Sequence, residues 1–486
     1  MEKITKSLTR IWLVLLMVAI TSEGMSFCGF YVAKADAKLF NNKSEVILVR
    51  DGNSTTITMS NDFKGDVRDF AMVVPVPVVL RENDIKVVNR QIFDALDAYS
   101  APRLVEYYDS NPCQPVYDMV EITASRMTKS MDFAPSMESM VENESYSVTI
   151  EAQYEVGEYD ILILSAKESD GLKRWLIDNG YKIPAQAEEV LEPYIKSKMK
   201  FFVAKVNIDK MPNSEFLSPL QINFESDRFM LPLRLGMANS SGTQDMIVYA
   251  FTKNGRVEST NYRTIKPPTD RNIPLFVKNK FGEFYKDVFK KQYEREGRNG
   301  VFLEYAWDVS PQQAGVKCDP CVGPPPIYQE FAQAGVTWAT NVNANTQVFF
   351  TRLHVRYSRD KFPQDLFFQE TPNRERFQCR YILTHPAKGD LTCDAGQTYL
   401  QDLEMKRKRE VDELTALTGW DGKYSQNYVN EFSNQLKRED AIPITNPWNN
   451  RGGPGTNLPI GLLLATVAVG MFISYQVFKA KAVRLA

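Results

Sequence analysis

The sequence predicts an α+β fold: an antiparallel β-rich body with interspersed helices, followed by one C-terminal transmembrane helix. Three observations predict it. Residues 146–156, YSVTIEAQYEV, alternate apolar and polar side chains without a break, the pattern of a half-buried strand. Asp51-Gly52 and Asn254-Gly255 each stand between strand-like runs and are strong hairpin signals. Residues 458–478, LPIGLLLATVAVGMFISYQVF, carry no charge and match the roughly 20 apolar residues that a bilayer crossing needs.

Taken in order, Lys3, Lys6 and Arg10 precede the apolar run IWLVLLMVAI and the small or polar residues Thr21, Ser22, Glu23, Gly24 and Ser26, the arrangement of a secretory signal peptide over residues 1–26. SEVILVRDGNSTTITMSN reads as the first hairpin. DFAMVVPVPVVL is an apolar strand whose Pro75 and Pro77 cannot donate to a central ladder, which places it at an edge or just outside the sheet. QIFDALDAYSAPRLVEYYD reads as helix in two pieces broken at Pro102, and residues 127–142 as a surface insertion or linker without periodicity. ILILSA is the antiparallel partner of 146–156 across Gly157. DGLKRWLIDNG and PAQAEEVLEPYIKSKM are helices, the first stopped by Asn179-Gly180 and the second opened by Pro184. KFFVAKVNI returns to strand.

DMIVYAFTKNGRVESTNY is the second hairpin, and KPPTDRN marks a boundary near residue 270. GEFYKDVFKKQYEREG is helical, VFLEYAW and 347–357 are strands, and 394–418 is a charged helix. The expected domains are therefore an N-terminal β-rich extracytoplasmic region at 27–270 and a C-terminal α+β extracytoplasmic region at 271–445. A flexible tether follows at 446–457, then the transmembrane helix at 458–478 and a tail at 479–486. Lys479, Lys481 and Arg484 place that tail in the cytoplasm by the positive-inside rule, so the body is exported and anchored in the inner or cytoplasmic membrane.

Of the 486 residues, 58 are basic and 60 acidic, a balance with no global attraction for nucleic acid. Two histidines, His354 and His385, argue against histidine-rich metal enzymes and several triad hydrolases. No dinucleotide fingerprint, phosphate loop, HExxH or GxSxG motif is present, and no cofactor is expected.

The six cysteines, Cys28, Cys113, Cys318, Cys321, Cys379 and Cys393, are disulfide candidates once the body is exported. Cys318 and Cys321 sit in CDPCVGPPP, where Gly323 and Pro324 to Pro326 cannot form the helix that a thioredoxin-like dithiol requires. A metal knuckle would have to recruit Cys379, His385 or Cys393, whose spacing matches no common zinc signature. Six cysteines allow 15 connectivities. The preferred pairs are Cys318 with Cys321, Cys379 with Cys393, and Cys28 with Cys113.

Other candidates have plainer readings. Arg352, His354 and Arg356 share one polar face of a strand that could bind an anion but reads first as solvated, with the two arginines depressing the histidine's basicity. His385 ends a strand before Pro386. Lys406 to Arg409 lie among Glu404, Glu410, Asp412 and Glu413 and read as intrahelical ion pairs. Asn61, Asp62, Asp66 and Asp69 offer oxygens to calcium without EF-hand spacing. Sequons occur at Asn42, Asn53, Asn143 and Asn239.

At FCGFYVAKADAKLFNNKSEVILVRDG, DFAMVVPVPVVL, LDAYSAPRLVEYYD, VGEYDILILSA, NGYKIP and CDPCVGPPP, the sequence resembles the exported bacterial proteins grouped as domain of unknown function 2330, over residues 27 to about 400. That resemblance implies a bacterial envelope protein with a signal peptide and implies no activity. The residues then point to a non-enzymatic, membrane-tethered module that binds or scaffolds another envelope component, a protein or polysaccharide. The alternative is an envelope enzyme, either a thiol oxidoreductase at Cys318 and Cys321 or a hydrolase using carboxylates outside any known motif.

Overall fold

Side-chain alternation divides the strands between two large sheets and sets their order in depth. In the strand Phe40–Asp51, Val46 and Leu48 enter one core while Ile47 and Val49 enter another. In Lys200–Val206, Phe202, Ala204 and Val206 join the first of these cores, and Phe201 and Val203 face a third. Successive strand side chains point to opposite faces, so each sheet is covered on both sides. The result is four layers: helices, a five-stranded sheet, a nine-stranded sheet and helices. This computed structural model describes residues 30–33, 40–64, 70–114, 148–179, 187–207, 210, 217–238, 242–311, 324–339, 346–421 and 428–429, all within one compact unit that ends at Asn430.

The five-stranded sheet runs in the order Phe30–Ala33, Phe70–Val76, Lys200–Val206, Tyr159–Ala166, Val148–Val156. Its outer face is covered by the helices Ser169–Asp178 and Ala187–Lys196 through Leu172, Trp175, Leu176, Val190, Leu191 and Tyr194. The expected 148–166 hairpin is present, with Gly157 at φ +59° in its turn. Pro75 is accommodated as its chemistry demands. The 30–33 strand pairs only Phe70 to Val73, so Pro75 has a strand partner, Phe201, on one side alone.

The larger sheet is ordered Thr264–Ile265, Val301–Asp308, Phe349–Tyr357, Gln244–Thr252, Phe40–Asp51, Ser54–Lys64, Leu220–Glu225, Ile85–Val87, with Phe377–Gln378 as a ninth strand pairing Val301–Asp308 off this path. It is mixed, because 244–252 runs parallel to 40–51 and antiparallel to 349–357, whereas the sequence suggested antiparallel pairing throughout. Strands from both sides of residue 270 share it, with 301–308 and 349–357 inserted between 264–265 and 244–252, so the expected boundary there does not separate two cores; Arg271–Asn272 is itself a strand. The first hairpin forms at Asp51-Gly52, with Gly52 at φ +58°.

The second expected hairpin does not form a ladder. After Thr252 the chain crosses to a small sheet, where Val257–Ser259 pairs with Leu366–Glu370. Gly255 serves close approach instead of a turn: a Cβ there would lie 2.6 Å from the carbonyl oxygens of both Thr371 and Asn373.

A second reading also changes. Helix Gln91–Ser100 ends before Pro102 as expected, but RLVEYY is a strand, Arg103–Tyr108, running parallel to Arg380–His385. Tertiary pairing overrides its local helical pattern. Helices Phe281–Arg295 and Asp394–Thr418 lie where the sequence puts them. Among the described residues no helix is long and apolar enough to cross a membrane. The segments at 1–26, 127–142 and 431–486, and with them the signal peptide, tether and transmembrane helix, lie outside the described residues.

Candidate functional site

The strand Phe349–Tyr357 turns Phe349, Leu353, Val355 and Tyr357 into the core between the sheets, leaving Phe350, Arg352, His354 and Arg356 on the outer face. That face is not solvated as the sequence suggested. Helix Phe281–Arg295 covers it: the Phe289 ring stacks on His354 at 3.8 Å, and the Arg356 guanidinium lies 4.9 Å from the centre of the same ring. Buried cations need partners, and the neighbouring strands supply them. Glu304 sits at a β-bulge in Val301–Asp308, where the register shifts between Leu303 and Tyr305. Leu303 and Ala306 both face the inter-sheet core, so the bulge leaves Glu304 as the extra residue and re-aims its carboxylate toward Arg352 and His354.

The resulting network is continuous. Arg352 Nε donates to Glu304 Oε2 at 2.7 Å, Tyr285 OH donates to Oε1 at 2.6 Å, and His354 Nδ1 lies 2.9 Å from the same oxygen. On its other side, His354 Nε2 is 3.0 Å from Asp245 Oδ1, and Arg356 grips both Asp245 oxygens at 2.8 and 2.9 Å. Arg352 Nη1 reaches Asp97 at 2.7 Å, and Tyr249 OH joins Asp97 to Glu45, each at 3.0 Å. The network thus crosses four strands and binds both covering helices.

Burial alone would raise the Glu304 carboxyl, but the His354 and Arg352 charges and the hydrogen bonds from His354 and Tyr285 hold it at about 2. Burial alone would lower His354, yet the Glu304 charge and the hydrogen bonds to Asp245 and Glu304 raise it above its ordinary 6.5. This reverses the expected effect of the flanking arginines, because both ring nitrogens face carboxylates and only the imidazolium donates from both. The two shifts bound a pH window. The Glu304 contribution is present above 4.5 and is lost as pH falls toward 2. The His354 contribution is complete below 6.5 and is lost as pH rises through the raised value. Urea denaturation at a series of pH values is expected to show native stability falling above pH 6.5 by more in the wild type than in H354Q. Equal slopes would show that His354 is not held as an imidazolium.

A surface cleft forms where the two sheets meet at one end. Ile57, Pro75, Pro77, Met199, Phe224, Met230 and Pro232 give it an apolar wall, with Ser197, Ser226, Asp227 and Arg228 also lining it, around a volume of ≈ 220 Å³. Immediately after Pro77, Val78 and Val79 are 36% and 39% exposed. Small-molecule pockets generally span about 300–1,000 Å³, so this cleft suits an inserted side chain or short apolar segment. A second, polar groove runs along helix 394–418, lined by Asp109, Tyr399, Asp402, Lys406 and Arg409 among others. Of the basic run there, Lys408 makes the expected intrahelical pair with Glu404 at 2.9 Å. Lys406 reaches Asp109 instead, and Arg407 is buried, donating to the Tyr428 carbonyl at 2.6 Å.

The cysteines require two corrections. Cys113 pairs with Cys393, so neither Cys28–Cys113 nor Cys379–Cys393 forms. The reason is the parallel pairing of 103–108 with 380–385: both chains leave that sheet at the same end, bringing residues 109–114 beside 386–393. Cys379 enters at the opposite end, is buried and unpaired, and has its Sγ 3.8 Å from Tyr381 OH. Burial pushes its thiol up, which makes it inert. Neither Cys379 nor the disulfide-bonded Cys393 can join His385 in a metal knuckle, and His385, at the end of its strand as expected, instead binds Glu106 at 2.7 Å and stacks on Tyr108. Cys28, Cys318, Cys321, Asp66 and Asp69 lie outside the described residues, as do the side chains of Asn61 and Asp62.

Glu304, Asp245, Asp97 and the cleft had no motif to announce them. The available signal was a lone carboxylate inside each apolar strand, VFLEYAW and DMIVYAF, facing a strand with alternate cations.

Layering and site together define an α+β protein whose strongest charged groups are spent on one another inside the fold, with an apolar cleft left at the surface. The chain belongs to the bacterial family described as "Uncharacterized protein conserved in bacteria (DUF2330)", whose sequence model matches residues 23–369. No curated protein matches it. A solved structure, "Crystal structure of baculovirus P35", aligns with 46% of this chain and 76% of its own at 10% identity and a TM-score of 0.22, too loose to bear on fold or role.

Proposed function

We propose that this chain is a non-enzymatic binding module of the bacterial envelope, exported and tethered to the membrane, which receives an apolar side chain or short apolar segment of an envelope protein in the cleft beside Val78 and Val79. The cleft carries this reading: an apolar wall flanked by two exposed valines is the feature that a hydrophobic anchor residue fits. Its lining favours a protein over a polysaccharide, which would call for exposed aromatic faces and more hydrogen-bonding groups. The Cys113–Cys393 disulfide supports an oxidising compartment, and the apolar runs at 11–20 and 458–478 support export and anchoring.

The test is photocrosslinking from position 78 in native membranes, compared with the same probe in S197W, where the new indole fills the cleft from its exposed rim. A discrete protein adduct that S197W abolishes is expected. An adduct indifferent to S197W, or adducts with polysaccharide alone, would remove the cleft from the binding surface.

A further inference from the structure

Cys393 is the N-cap of the 25-residue helix Asp394–Thr418, and its Sγ accepts a hydrogen bond from the Gly396 N–H at 3.3 Å. Gly396 is also where the second sulfur packs: a Cβ on it would lie 2.8 Å from Cys113 Sγ and 2.2 Å from the Leu391 carbonyl oxygen. A side chain at 396 would therefore push the disulfide off the helix start. Cys393 is exposed and Cys113 half-buried, so the bond is open to solvent. The two sulfurs are not equivalent. Cys393 alone sits at the positive end of a long helix with an amide aimed at it, and a thiolate is stabilised there. Asp394 in the first turn opposes this, but its carboxylate is a single charge, exposed to water.

We propose that Cys113–Cys393 is a directional thiol-exchange site for a dithiol reductant, with Cys113 as the attacked sulfur and Cys393 as the leaving one. The thiolate of the dithiol attacks Cys113 Sγ and forms a mixed disulfide. The Cys113–Cys393 bond breaks, and its electron pair leaves on Cys393 Sγ as a thiolate received by the Gly396 N–H. The second thiol of the reductant, deprotonated by water, then attacks its own sulfur in the mixed disulfide. Cys113 leaves as a thiolate and takes up that proton. The dithiol becomes a disulfide, and the protein gains two thiols. Direction follows from the leaving group, since the sulfur of lower pKa departs faster. The site also holds its shape after opening. Asn111 Nδ2 donates to the carbonyls of Lys388 and Asp390 at 3.0 Å each, and Tyr399 OH donates to Asp109 at 2.9 Å, so the two sulfurs stay adjacent and can close again.

Glutathione serves as the probe because a monothiol has no second thiol of its own to resolve the mixed disulfide, which acid then traps. The oxidised full chain is incubated with it under native conditions, quenched with acid and mapped by peptide mass. The expected result is a several-fold excess of adduct on Cys113 over Cys393, with Cys379 unmodified and the far-ultraviolet circular dichroism unchanged. Adduct mainly on Cys393, equal adducts, or opening only when the protein unfolds would overturn the proposal, the last leaving a structural staple. In C113S, alkylation of Cys393 should show a midpoint at least about one pH unit below the ordinary thiol value of roughly 8.5. A midpoint at or above that value would equally overturn it.

Discussion

E304A is expected to destabilise the native state by about 3–5 kcal/mol, the cost of removing one partner from a buried ion pair. Glu304 is 1% exposed, and its two oxygens serve Arg352, His354 and Tyr285 together. Without it, Arg352 keeps Asp97 and Ser100 but loses its Nε acceptor, His354 keeps only Asp245 as a hydrogen-bond partner, and the hydroxyl of the half-buried Tyr285 loses the partner it donates to. The loss should not be additive with R352M. In E304A/R352M both charges are gone, so no unpaired ion remains between these positions, and the double variant should be more stable than the sum of the singles predicts. Urea titrations of the four proteins provide the cycle. A cost below about 1 kcal/mol for E304A, typical of an exposed pair, would contradict the burial of this network.

This network shows where sequence reading reaches its limit. The strand holding Arg352, His354 and Arg356 was legible from its alternation, as was the helix that packs on it, from its period. Their meeting was not. An alternating polar face looks solvated until a helix from some 60 residues upstream is known to cover it, and the Glu304 bulge is a slip of register with no fixed signature. The long helix 394–418 was readable to the residue because Cys393 and Gly419 bound one uninterrupted helical pattern. The strand 103–108 failed for the opposite reason. It is six residues long, and its partner lies about 280 residues away, so local composition had nothing to weigh against the helix before it. The observed disulfide was out of reach without that strand, since the parallel pairing with 380–385 is what brings Cys113 to Cys393.

The same long separation makes that disulfide the largest single determinant of stability expected here. The bond closes a loop of 280 residues, and in the chain-entropy account a crosslink of that span raises the free energy of the unfolded chain by about 5 kcal/mol. Replacing both cysteines, C113A/C393A, should therefore lower the urea midpoint of the full chain at unchanged native circular dichroism. The native contacts around the bond do not depend on it: Asn111, Asp109 and Tyr399 hold the same segments through hydrogen bonds, and six residue pairs of parallel sheet lie behind them. The effect should then appear mainly in the unfolded state, as faster unfolding or slower refolding according to when the two strands dock, while hydrogen exchange in the strands 103–108 and 380–385 stays slow under native conditions. If those amides lose protection in the variant, the bond maintains the parallel pairing itself, and the small sheet, not the unfolded chain, is what the crosslink stabilises. An oxidised wild type whose midpoint is unmoved by reductant, with Cys113 and Cys393 verified as free thiols, would refute both accounts.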